Sequence, residues 1–99
     1  MVTKRILHWS LEELPDSLTL KVRGHVDSET AAEFDRAVRE ALARGKSTLI
    51  DLSAVHYFDG QGIQVLRERA NRTRAILKLP LPVRRNLESL GIDYLFRFE

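Results

Sequence analysis

The sequence predicts an α/β fold with a mixed, mostly parallel sheet and helices packed on it. Three observations carry this. Leu18-Thr19-Leu20-Lys21-Val22-Arg23 alternates apolar and polar without a break, the mark of a strand with one buried face. Ala31, Phe34, Val38, Ala41 and Leu42 recur at the spacing of one helical face. Strand and helix patterns then take turns along the chain in the order β-β-α-β-α-β-α-β, which requires crossover connections and parallel pairing.

Taken in order, Ile6 to Leu11 reads as an edge strand, and Glu12 to Ser17, with Pro15-Asp16, as a turn. The alternating run to Arg23 completes a hairpin, with Gly24 as its end. Asp27-Ser28-Glu29-Thr30 supplies cap oxygens and early acids, and Thr30 with Glu33 fits a capping box for the first helix. Arg44-Gly45 is its stop. Thr48 to Leu52 is mostly apolar on both faces, as a central strand is.

After the Gly62 turn, Ile63, Leu66 and Ala70 return to helical spacing, and Asn71 to Arg74 interrupts it. Ala75 to Leu79 reads as a strand. Pro82 suits the first turn of a third helix, with Val83, Leu87 and Leu90 on one face and Gly91 as its stop. Tyr94, Phe96 and Phe98 alternate with Leu95 and Arg97, which predicts a last strand.

The 99 residues suit one domain spanning 1–99. With 43% hydrophobic residues the chain is expected to fold rather than stay disordered. A net charge of +2, from 16 basic against 14 acidic residues, does not by itself call for nucleic acid. The absence of cysteine excludes disulfides, thiol chemistry and the common structural zinc sites. There is no transmembrane-length apolar run and no apolar leader at the N-terminus, so the expected location is cytoplasmic.

The candidate motifs for chemistry are poor. Gly45-Lys46-Ser47-Thr48 has the tail of a phosphate loop, but Glu40 stands where the first glycine belongs and a strand follows. His8, His25 and His56 show no metal-ligand spacing, so no metal is expected. No nucleophile elbow exists. Asp51 and Asp59 are two carboxylates that need not converge. Arg67, Arg69, Arg72, Arg74, Lys78, Arg84 and Arg85 make one third of the chain basic, without the interleaved aromatics that base stacking needs. The expectation is a protein that is not an enzyme, with no cofactor and no nucleic acid.

The best candidate is Asp59-Gly60-Gln61-Gly62. It lies where a strand gives way to a helix, at the strands' carboxyl ends, where sites in parallel sheets form. Asp59 can cap the helix. Asp27-Ser28 marks the other turn of the same kind.

Three motifs are then familiar together. Gly24-His25-Val26-Asp27 ends a strand, Leu49 to Leu52 makes the next, and Phe58-Asp59-Gly60-Gln61-Gly62 follows. With "PLPVRRNLESLGIDYLF" near the end, the chain resembles the STAS family, the domain of bacterial anti-sigma factor antagonists, over nearly its whole length. In family members that act as sigma-regulator switches, the residue after the Asp of an Asp-Ser-Ser-Gly motif is a phosphorylated Ser or Thr. Matched residue by residue, the acceptor position is Gly60 and the next serine is Gln61, so neither can be phosphorylated. Asp59 to Pro82 is also shorter than the family pattern, which predicts a short second helix.

The resemblance implies a non-catalytic protein-interaction module in signal transduction and transcription regulation. The surface it implies comprises His25, Asp27, Ser28, Tyr57, Asp59, Gly60, Gln61, Gly62, Ile63, Gln64 and Arg67. The implied partner is a kinase-like anti-sigma factor or another STAS protein, and a homodimer is left open. Two alternatives stand beside this: an accessory subunit of a lipid or anion transport assembly, with the membrane reached only through that complex, and a nucleotide-sensing STAS domain.

Overall fold

The computed structural model describes residues 6–72 and 74–99. The N-terminal residues that bear on a leader peptide lie outside that range, except Ile6. The elements are β1 (Leu7–Glu13), β2 (Ser17–Val26), α1 (Ala31–Leu42), β3 (Ser47–Phe58), α2 (Gly60–Arg69), β4 (Ile76–Lys78), α3 (Leu81–Ser89) and β5 (Arg97–Phe98), with a 3₁₀ turn over Asp93–Leu95 before β5.

The strands lie side by side in chain order. β1 and β2 form an antiparallel hairpin, with Leu7 opposite Gly24 and Trp9 opposite Val22. β2 to β5 are parallel. Each crossover steps one strand in the same direction. Right-handed crossovers of that kind put every helix on the same face. The burial pattern agrees: Leu18, Leu20, Val22, Ile50, Leu52 and Leu77 are buried towards the helices, while Lys21, Arg23, Ser53 and Lys78 are exposed on the other face.

The core lies between that sheet face and the helices. Phe34, fully buried on α1, meets Phe58 of β3 edge-on, with centroids 5.7 Å apart and planes at 85°. Truncating such an aromatic typically costs about 3–5 kcal/mol. Val38, Ala41, Leu66 and Leu87 bring the three helices onto the same core.

Several boundaries differ from the sequence reading. Gly24 does not end its strand, which runs on to Val26. Its φ is +104°, and a Cβ there would collide with the Ile6 carbonyl oxygen, so glycine lets β1 approach closely. The Thr30–Glu33 capping box does not form. Thr30 is the N-cap of α1 but its side chain makes no cap bond, because its hydroxyl is turned back to other partners.

The hairpin turn is shorter than expected, since the flanking strands reach Glu13 and Ser17. β3 runs well past Leu52, to Phe58, and β4 keeps only Ile76–Lys78. Leu90 lies beyond α3 and is 56% exposed. The last strand shrinks to two residues. The backbone coils into the 3₁₀ turn, Arg72 N–H donates to the Leu95 carbonyl at 2.8 Å, and Tyr94 points to solvent.

The Gly45-Lys46 segment closes the far end of the sheet. Lys46 Nζ donates to the Leu14 carbonyl and pairs with Glu13, both at 2.8 Å, and Arg44 reaches the same carboxylate at 3.0 Å. The lysine is thus a hairpin anchor, at the opposite end of the strands from the Asp59 turn.

Candidate interaction surface

The carboxyl ends of β2 and β3 lie side by side, with His25 opposite Tyr57 and Val26 opposite Phe58. The chain leaves each strand and turns into a helix at the same edge. Asp59 N–H donates to the Val26 carbonyl at 3.1 Å and ties the two exits together.

At the first exit, Asp27 is 1% exposed. Its Oδ1 accepts the N–H groups of Glu29 at 2.9 Å and Thr30 at 3.2 Å. Thr30 Oγ1 accepts from Asp27 N–H at 3.0 Å and donates to the His25 carbonyl at 2.8 Å. These reciprocal bonds hold the 25–30 loop rigid. They also consume the Thr30 hydroxyl, which is buried, whereas Ser28 stays exposed.

At the second exit, Asp59 is the N-cap of α2. Its backbone is extended, and Oδ1 accepts Gln61 N–H at 2.9 Å. This satisfies one of the unpaired amides at a helix start and places a negative charge at the positive end of the dipole. A side chain at Gly60, the first helical residue, would stand in open space. Gly62 is the opposite case: a Cβ there would lie 2.7 Å from Phe58 Cζ and 2.8 Å from Val26 Cγ1. Only glycine lets α2 sit this close to the sheet.

α2 therefore has two sides. Gly62, Ile63, Val65 and Leu66 are buried. Gly60, Gln61, Gln64, Arg67 and Glu68 form the exposed stripe, within which Gln64 Nε2 donates to Glu68 Oε1 at 2.8 Å. The candidate residues divide accordingly. Ser28, Tyr57, Gly60, Gln61, Gln64 and Arg67 are exposed; His25 and Asp59 are half-buried; Asp27, Gly62 and Ile63 are buried and shape the surface from beneath. The His25 and Tyr57 rings stack with centroids 6.3 Å apart.

Sequence reasoning missed what lies beside this turn. Tyr57 and Phe58 of β3 and Pro80, Pro82, Val83 and Asn86 around the start of α3 line a shallow groove of about 200 Å³. Leu81, next to it in the chain, is 56% exposed. The Leu-Pro-Leu-Pro run is the signal that could have drawn attention to it.

Other candidates separate. Asp51 lies within β3 and Asp59 beyond its end, about 25 Å along the extended chain at strand rise. They are not a catalytic pair. Burial pushes the Asp51 carboxyl up, but hydrogen bonds from the Ser53 hydroxyl at 2.6 Å and its N–H at 2.9 Å, with Lys78 and Lys21 nearby, hold it below its usual value. Among the described residues, no three His, Cys, Asp or Glu could hold a metal, and no helix is long and apolar enough to cross a membrane. In the basic third, Arg69 binds Asp35, Lys78 faces Glu99 and Arg84 lies over the Phe98 ring at 4.3 Å.

Comparison with known proteins adds the following. The family profile described as "Mlab, STAS domain" matches residues 9–97. The anti-sigma-F factor antagonist RsfB of Mycobacterium tuberculosis is 29% identical over 100 aligned positions, covering 84% of this chain and 82% of that protein. Among solved structures, an anti-sigma factor antagonist from Mycobacterium paratuberculosis superposes with a TM-score of 0.82 at 22% identity, over 99% of this chain and 89% of the other. The Bacillus cell fate determinant SpoIIAA, in its phosphorylated form, superposes with a TM-score of 0.62 at 14% identity, over 93% and 91%. At those identities the two structures speak for the fold.

Proposed function

Because the chain belongs to the STAS family, we propose that it is a non-catalytic regulatory module of the anti-sigma factor antagonist type, docking a protein partner at the carboxyl edge of its sheet. The chain is related in sequence to an anti-sigma-F factor antagonist. The observation that carries the reading is the turn at Asp59. An exposed, capped helix start, the Gln61–Gln64–Arg67 stripe and the Tyr57 ring meet there on a backbone fixed by internal hydrogen bonds. A preformed surface binds with less loss of conformational freedom.

The proposed partner is a cytoplasmic kinase-like anti-sigma factor or a second STAS protein. Gly60 stands where the resemblance places the acceptor hydroxyl. A phosphoryl group there would add roughly −1.5 to −2 charges next to the Asp59 carboxylate. Without it, docking is not switched off by modification of that residue.

Affinity capture from the native cell with the wild-type chain, Gly60→Ser and Gly60→Asp tests this. The wild type should retain a kinase-like or STAS-containing partner. Gly60→Asp should lose it, and Gly60→Ser should be phosphorylated by such a kinase with ATP. Retention of a transport ATPase instead, or equal capture by all three chains, would overturn the reading.

A further inference from the structure

The helix-free face of the sheet is not flat. Over β1, β2 and β3 it is hollowed into two depressions, of about 570 Å³ and about 380 Å³. His8, Arg23 and Ala54 line both, so the two form one trough. Its volume lies within the range of small-ligand sites.

The cause is in β3. Between Lys21 and Arg23 of β2, which span two residues, β3 advances three, from Asp51 to Ala54; between Gly24 and His25 it again carries one extra residue. Each irregularity breaks the alternation of faces and leaves two consecutive exposed residues, Ser53-Ala54 and His56-Tyr57. The small side chains of Ser10, Ser53 and Ala54 and the bare Gly24 leave space between longer neighbours.

Those neighbours are mostly basic. Lys21, Arg23, His8, His25 and His56 line the trough, against Asp51 alone among acids. Asp51 already accepts both Ser53 bonds, and Lys21 pairs with Glu12 at 3.3 Å. The Arg23 side chain makes no hydrogen bond or ion pair with another described residue. It stands opposite His8 on one side and Ala54 on the other, so an arginine fork and an imidazole flank an open space. The donor set suits an oxyanion, since a guanidinium can take two of its oxygens at once.

The geometry points to a binding site for a small oxyanion, bearing phosphate or carboxylate groups, on the helix-free face of the sheet, held by Arg23 with His8. This site is separate from the partner-docking edge and stands whether or not that reading holds.

The test is a titration of the ¹⁵N-labelled full chain with pyrophosphate and, separately, citrate, at constant ionic strength. Saturable amide shifts confined to residues 8–10, 21–25 and 53–56 support the site, and the stronger-binding anion identifies its class. Arg23→Gln should weaken binding at least tenfold, while Arg85→Gln on α3 leaves it unchanged. Thermal unfolding of both variants checks that they fold. Shifts that do not saturate, shifts centred on 67–74 or 59–62, or binding indifferent to Arg23→Gln would overturn the proposal.

Discussion

Arg69 Nε on α2 donates a hydrogen bond to Asp35 Oδ1 on α1 at 2.9 Å, and Arg39 Nε approaches the other oxygen of the same carboxylate at 3.0 Å. One half-buried acid thus holds two guanidiniums and ties the two helices that begin at the proposed docking edge. Because Arg69 is 41% exposed, the pair should contribute modestly. Arg69→Met should lower stability by about 0.5–1 kcal/mol. Asp35→Asn should cost more, since it weakens both contacts. Urea unfolding of the two single variants and the double variant measures the coupling, and a coupling of zero would remove Asp35 as the link.

Gly60 and Gly62, two residues apart, should respond in opposite ways. Gly62→Ala pushes a methyl into Phe58 and Val26 and should cost about 1–3 kcal/mol. Gly60→Ala meets nothing and replaces a glycine in a helix, so it should be neutral or stabilising by up to about 1 kcal/mol. Thermal denaturation of the two variants gives the comparison directly. Equal losses would mean that the close approach of α2 to the sheet is not what requires glycine.

Thr30 should matter through its hydroxyl. Thr30→Val keeps the shape but leaves the buried Asp27 N–H and the His25 carbonyl without that partner, at a loss of about 1–3 kcal/mol. Thr30→Ser should recover most of it. Hydrogen exchange at Asp27 reads the effect locally, and faster exchange is expected in the valine variant only.

Asp51 should impose a pH dependence of known sign. Its carboxyl lies below the usual value in the folded chain, so its contribution is complete above the unfolded value of about 3.9 and is lost as pH falls through the folded one. Ser53→Ala removes the one hydrogen bond from the hydroxyl and should move the Asp51 titration upward. Carbon-detected NMR of the side-chain carboxyl follows it. An unmoved midpoint would leave the Ser53 N–H, Lys78 and Lys21 as the cause instead.

Much of the fold was legible because its signals are local. The alternation from Leu18 to Arg23 and the apolar stripe from Ala31 to Leu42 each record one buried face, and both elements are present. The Asp59 cap was legible from an acid before a glycine turn. The last strand was not. Alternating aromatics at Tyr94, Phe96 and Phe98 suit a strand, but which of them is buried depends on how the 3₁₀ turn packs on the 70–75 loop. The Thr30 hydroxyl was misassigned for a similar reason. Its partners lie three to five residues upstream, outside the pattern of a capping box. The trough was hidden because irregular pairing is a property of two strands. Its only trace in one strand is the paired exposure at Ser53-Ala54 and His56-Tyr57.

The two extra residues of β3 also decide which of its side chains reach the core. Side chains of a regular strand alternate between the two faces, so Leu52, Ala54, His56 and Phe58 would share one side and Val55 the other. The first extra residue shifts that phase and the second restores it, so Leu52 and Val55 are both buried and Phe58 still meets Phe34 of α1. The features that hollow the sheet's bare face thereby also supply the helices with Val55 in place of two small or polar neighbours.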